Sequence, residues 1–175
     1  MHGDAPRIEA GDGTEVFPRM SYEVDPSASE MSFRSRAFSV GWVQGTFPIV
    51  EGNVALEGAK MTAVGLLAAD RVDTGLATRD WHLRSSHYLG ASVHPRIRVR
   101  VPWTDTSAAI VRAEVTLREV TSNVQLYVAE KSVRSDKLEL TATGSIDRTV
   151  YPMLPPWCGV SRVLHVEVKI FARRI

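Results

Sequence analysis

From Tyr22 to the C-terminus, apolar and polar residues alternate with a period of two. That pattern predicts strands, because successive side chains on extended backbone leave opposite faces of a sheet. The clearest run is Arg96-Ile97-Arg98-Val99-Arg100-Val101, three arginines set against three β-branched residues. Val111, Ala113, Val115 and Leu117 alternate with Arg112, Glu114, Thr116 and Arg118. Val124, Leu126 and Val128 alternate with Asn123, Gln125 and Tyr127, and Leu138, Leu140, Ala142 and Ile146 with Lys137, Glu139, Thr141 and Ser145. Leu164, Val166, Val168 and Ile170 close the series against His165, Glu167 and Lys169.

Weaker alternation marks three upstream candidates: Glu30 to Val40, Val43 to Leu56, and Lys60 to Asp70. Glu57-Gly58-Ala59-Lys60 supplies turn chemistry between the last two, while Gly41 and Gly52 suggest a bend and a bulge. The total is about eight strands with mostly short connections, which predicts an all-β, antiparallel, up-and-down barrel. Closure also removes the exposed edges that such strands would otherwise present. Residues 1–19, rich in Gly, Pro and acid and without a period, read as a flexible or loosely docked tail ahead of one folded unit, residues 20–175.

The long exception to short connections runs from Val72 to Pro95. Thr78 suits an N-cap, Asp80 in the first turn complements the helix dipole, and Gly90 and Pro95 bound the far end. Ala77, Trp81 and Tyr88 are expected on one apolar side of a short helix, a lid over one barrel mouth.

At 175 residues the chain is long enough to bury a core without staples. It has a single cysteine, Cys158, so no internal disulfide forms and a reducing compartment is the simple reading. With 21 basic and 20 acidic side chains, nothing in the overall charge calls for nucleic acid as a partner. The first twenty residues lack the apolar run of a secretory signal, which suggests a cytoplasmic protein or a trimmed form. No stretch approaches the ~18 apolar residues of a membrane span.

Catalytic chemistry finds little footing. There is no Gly-x-Ser-x-Gly elbow, and Cys158 follows Pro155-Pro156-Trp157 without an evident base. Gly11-Asp12-Gly13 lacks the third glycine and the preceding strand of a dinucleotide fingerprint. His82, His87 and His94 are spaced by five and seven, which does not stack two ligands on one helical face, so no metal is expected. No cofactor is expected either.

The insertion carries a further signal. Thr74, Gly75, Arg79, Asp80, His82, Leu83, Arg84, Ser85, Tyr88 and Pro95 occur in the order of a motif that resembles the signature of the YceI-like polyisoprenoid-binding family. The resemblance spans roughly Tyr22 to Arg173. It includes Asp25-Pro26, Gly45-Thr46-Phe47 and Gly52 near the start, and Val120-Thr121 and Gly144-Ser145-Ile146-Asp147-Arg148 later. Three positions depart from it: Arg36-Ala37 replaces a basic-His pair, Glu119 stands where the family has Gly, and Tyr151-Pro152 replaces an aromatic-Gly.

The resemblance implies a lipocalin-like barrel with a short helical lid insertion that encloses a polyisoprenoid or similar amphiphile and catalyses nothing. The expected function is binding, sequestration or transport of a long apolar compound: an isoprenoid, a quinone or a fatty-acyl chain. Phe33, Leu67, Trp81, Val99, Val115, Leu126 and Leu140 are the candidate tail channel; Arg79, His82 and Arg84 are the candidate mouth for a polar head. Arg79 with Asp80 also reads as a loop ion pair or cap that holds the lid shut, and His82 as a hydrogen-bonded structural histidine. Arg96, Arg98 and Arg100 read as a solvated wall, with an anionic membrane surface or a partner as the other option. The competing class is a ligand-free structural or protein-interaction barrel whose interior side chains fill. Homodimerisation through Trp42, Trp157 or Phe171 is compatible with both.

Overall fold

Every strongly alternating segment forms a strand, and the strands close on themselves. The computed structural model describes residues 8–9, 15–16, 19–38, 41–154 and 159–175. Within the expected tail, β1 (Ile8–Glu9) pairs with β2 (Glu15–Val16) in a small separate ladder; the rest of residues 1–18 lies outside the described residues. The remaining strands are β3 (Arg19–Val24), β4 (Glu30–Ala37), β5 (Gly41–Phe47), β6 (Ile49–Glu57), β7 (Lys60–Ala68), β8 (Arg96–Asp105), β9 (Ile110–Leu117), β10 (Val120–Val133), β11 (Lys137–Asp147) and β12 (Val160–Arg174). All pair antiparallel, in the order β11-β10-β9-β8-β7-β6-β3-β12, and β12 returns to β11 to complete the ring.

β3 and β4 form one broken stave, and β5 and β6 another. Glu23 faces Asn53 and Met31 faces Phe47, so the same hairpin continues past both interruptions, offset by two residues. Pro26 lies in the first interruption and Pro48 in the second, each unable to donate a ladder hydrogen bond. The barrel is therefore an eight-stave, antiparallel, up-and-down closure, lipocalin-like in plan. The first stave begins at Arg19, eleven residues before the Glu30 start read from alternation, and the second is broken at Pro48.

Several turns use left-handed backbone. Gly58 (φ 57°) closes the β6–β7 hairpin, and Arg118 and Glu119 (φ 50° and 66°) close β9–β10. Glu119 is the position where the family pattern has glycine, which accepts this φ at little cost.

The turns after β4, β7, β9 and β11 gather at one end of the barrel, the lid end; those after β6, β8 and β10 gather at the far end. At the far end Tyr22 and Leu138 are fully buried, and the Tyr22 hydroxyl donates to the Arg134 carbonyl at 2.9 Å.

The insertion after β7 contains a short 3-10 turn (Ala69–Arg71) and α1 (Ala77–Arg84). It does more than cover a mouth. Among the described residues β5 has β4 as its only ladder partner, and the insertion satisfies its free edge: Thr46 and Asp73 exchange backbone hydrogen bonds of 2.8 and 3.1 Å. Gly45 permits this approach, since a Cβ there would fall 2.8 Å from the Asp73 carbonyl and 2.7 Å from the Phe33 ring.

Two expectations for the helix are corrected. Leu76, not Thr78, occupies the N-cap position, and no side chain caps it. Ala77 and Trp81 face solvent, because Asp80 is the side chain that turns inward and its neighbour Trp81 is carried outward by the helical rotation. Tyr88, Leu89 and Ala91, just after α1, supply the buried apolar contact instead.

Candidate functional site

The inward faces of the staves do not fill the barrel. A cavity of about 200 Å³ runs between them, lined almost wholly by carbon. Phe33, Leu67, Val99, Val115, Leu126 and Leu140 all line it, one from each of six strands. Small inward residues leave the room: Ala63 and Gly65 on β7, Ala113 on β9, Ala142 on β11. The seventh expected channel residue, Trp81, lies on the outer surface beside Ala77, Thr78 and His82.

The roof of the cavity at the lid end is Leu89 from the insertion with Arg148, Tyr151 and Met153 from the β11–β12 connection. Arg148 is buried and donates to the carbonyls of Leu154, Val160 and Ser161, the last at 2.7 Å. Its guanidinium also lies 5.9 Å from the Tyr88 ring centre. Tyr151 donates its hydroxyl to the Val115 carbonyl at 3.0 Å, and burial pushes its pKa up to about 12. Before this connection, Asp147 takes hydrogen bonds from Arg162 and Thr149, which hold its carboxyl well below the usual carboxylate range.

Arg118 joins the pieces of the roof. From the β9–β10 turn it donates to the carbonyls of Ser86 and Tyr88 in the insertion, at 2.8 and 3.1 Å, and to that of Pro152 in the β11–β12 connection. It packs on Gly90, where a Cβ would sit 3.2 Å from its Nε. Among the described residues that Nε is buried without a hydrogen-bond partner.

None of the three expected head-group residues lines the cavity. Arg79 is committed to Thr74, donating from Nε to its hydroxyl and from Nη2 to its carbonyl, both at 2.8 Å. Buried Asp80 accepts from the Thr74 amide and hydroxyl, so the two charges clamp one threonine and make no ion pair with each other. His82 is exposed and edge-on to Tyr88, ring centres 5.1 Å apart. Arg84 is half-buried on the last turn of α1. Sequence reasoning missed Arg118, Tyr151 and Met153 as roof residues.

On the outer wall, Arg100 pairs with Glu114 across β8 and β9 at 3.2 Å and Arg96 with Asp70 at 2.8 Å, as a solvated wall would. Of the expected dimer contacts, Trp42 is exposed and Phe171 is half-buried between Lys137 and Arg173. Trp157, like Cys158, lies outside the described residues. Among the described residues, no helix is long and apolar enough to cross a membrane.

Comparison with known proteins places this geometry. The chain is 28% identical over 154 residues to Protein YceI of Salmonella newport, covering 85% of this chain and 72% of that one. It is 25% identical to a UPF0312 protein of Pectobacterium atrosepticum, over 73% of this chain, and spans 64% of that protein's length. Among solved structures, BcnA of Burkholderia cenocepacia superposes with a TM-score of 0.69 at 16% identity, covering 85% of this chain and 98% of that one. A polyisoprenoid binding domain from Saccharophagus degradans, implicated in plant cell wall breakdown, superposes with a TM-score of 0.66 at 17% identity, over 88% of this chain and 98% of that one. These two likenesses establish the shared fold. The model of the YceI-like domain matches residues 22–172, nearly the whole barrel with its insertion, and the chain belongs to the YceI-like family.

Proposed function

We propose that the barrel binds the apolar tail of an amphiphile by burying it among the staves, without chemistry on it. One observation carries this reading: an interior cavity of about 200 Å³ lined by aliphatic and aromatic side chains from both ends of the barrel. Cavities of ~150 Å³ with such linings stay dry and take up a benzene-sized molecule. A slender chain of about ten carbons is therefore the scale that fits inside, and ~0.8 kcal/mol per buried methylene gives roughly 8 kcal/mol of gross drive. Ordering a flexible ligand offsets part of it, which puts the expected dissociation constant at about micromolar or weaker.

The description of the Saccharophagus degradans neighbour as a polyisoprenoid binding domain supports an isoprenoid or similar tail. A longer chain must leave the barrel. The lid end suits that exit, since half-buried Met153 roofs it, whereas buried Tyr22 and Leu138 plug the far end. The polar head then lies at the lid end, where His82 and Arg84 have side chains to offer and Arg79 keeps its structural bonds to Thr74.

Titration of a fluorescent polyene fatty acid tests the reading. Saturable uptake, displaced by a ten-carbon prenol, is the expected result. No enhancement at any protein concentration would favour the alternative barrel that binds no tail.

A further inference from the structure

Three of the most exposed large apolar side chains crowd one end of this molecule. Val93 is 74% exposed, Trp81 70% and Phe38 68%. Each belongs to the lid end: Trp81 to α1, Val93 to the insertion after it, and Phe38 to the turn after β4. Backbone hydrogen bonds tie these segments into one surface, with the Phe38 amide donating to Gly159 and the Leu154 amide to His87. Trp42 stands just below the rim, half-exposed, with the Arg34 guanidinium 5.3 Å from its ring centre.

Charge is concentrated at the same end. The segments that form it, residues 34–38, 41–44, 69–96, 118–119, 147–154 and 159–163, hold nine arginines and five carboxylates, a surplus of four positive charges. The whole chain carries only +1; residues 1–18 hold the balancing −3, and the other residues outside these segments sum to zero. Arg36, Arg71 and Arg84 belong to none of the ion pairs among the described residues. Protruding aromatic and aliphatic tips ringed by unpaired cations are what the surface of an anionic bilayer rewards: the tips enter the interface and each arginine gains from the surface potential. The far end also exposes an aromatic, Trp103, but without a comparable surplus of positive charge around it.

We propose that the lid end is a docking surface for an anionic membrane, entered by Phe38, Trp81 and Val93 and held by Arg36, Arg71 and Arg84. Docked this way, the roof of the cavity faces the lipid, and a tail can pass between bilayer and barrel without crossing water. This last consequence rests on the binding function proposed above; the docking itself does not.

Co-sedimentation with vesicles tests it. Wild-type protein is expected to pellet with phosphatidylcholine vesicles containing phosphatidylglycerol at low salt, about tenfold more than with pure phosphatidylcholine, and to be released at high salt. A Phe38→Asp, Trp81→Asp double variant should lose about tenfold, while Trp103→Asp at the far end binds as wild type does. Absence of binding to the anionic vesicles overturns the proposal, as does equal loss in Trp103→Asp. A self-association seen by sedimentation velocity that the double variant abolishes, without any vesicle binding, overturns it in favour of a contact between two copies. Uptake of the polyene probe without vesicles is measured in parallel. Its loss in the wild type counts against the interior site and leaves docking standing; its retention in the double variant shows that the surface, not the cavity, was altered.

Discussion

Gly52 and Gly65 face one another across β6 and β7, both on the cavity wall, and leave a patch of that wall made of backbone alone. The two glycines differ in what a side chain would meet. At Gly52 a Cβ falls 2.9 Å from the Val24 side chain and 3.3 Å from the Val64 carbonyl; at Gly65 its nearest neighbour is the Glu51 carbonyl at 3.4 Å, an ordinary contact. Gly65→Leu therefore projects into the cavity with room to spare. It should leave thermal stability unchanged or raise it by about 1 kcal/mol, as cavity filling does, and weaken probe uptake at least tenfold. Gly52→Ala should destabilise, with repacking around Val24 costing about 1–3 kcal/mol. Melting curves and probe titrations on both variants read the contrast.

Arg118 ties the insertion to the β11–β12 connection through three carbonyls. Hydrogen bonds from a charged donor contribute ~1.5–3 kcal/mol each, less where water competes. Arg118→Ala should cost about 2–3 kcal/mol in all and loosen the roof before the wall. Hydrogen exchange should quicken at the amides of Leu89, Gly90 and Ala91 and not in β6 or β7. Uniform quickening would mean that Arg118 serves the whole barrel and holds no separate lid.

Glu119 occupies left-handed backbone, φ 66°. That conformation costs an ordinary residue roughly 1–2 kcal/mol that glycine does not incur. Glu119→Gly should raise stability by about 1 kcal/mol in a denaturant melt at neutral pH, after the added flexibility of the unfolded chain is subtracted. A loss of stability would mean that the Glu119 side chain makes up for its strained backbone.

Tyr151 links the roof to pH. Its phenol is neutral and hydrogen-bonded when folded, and burial lifts its pKa from 10.0 to about 12. A raised folded pKa contributes stability that is fully present below pH 10 and lost as pH rises through 12. The wild type should therefore lose stability between those values faster than Tyr151→Phe, whose melting temperature lacks this component. Parallel alkaline profiles for the two proteins would show the phenol to be free of burial.

The wall of the barrel was legible and its roof was not. Six channel residues read from alternation line the cavity because period two fixes which side chains share a face, whatever the partners of the strand. Trp81 went astray because a short helix has no such constraint: buried Asp80, clamped on Thr74, sets its phase. The first stave was read short because Asp25-Pro26 reads as a boundary when it is an interruption in one continuing hairpin. Arg118 and Arg148 stayed hidden for a different reason. Their acceptors are backbone carbonyls, which every residue carries, so although Arg148 ends a motif shared with the family, nothing in the sequence shows what either arginine binds. A left-handed two-residue turn just before Val120-Thr121, in a family pattern that has glycine there, was the one available hint.

Native mass spectrometry of the freshly purified protein, followed by denaturing extraction of the same sample, shows whether the cavity holds a lipid tail. A stoichiometric adduct that releases an isoprenoid, quinone or acyl chain, and that Gly65→Leu fails to carry, is the predicted result. An adduct retained in full by Gly65→Leu, or an apo mass that persists after addition of polyprenyl and fatty-acyl compounds, would contradict it.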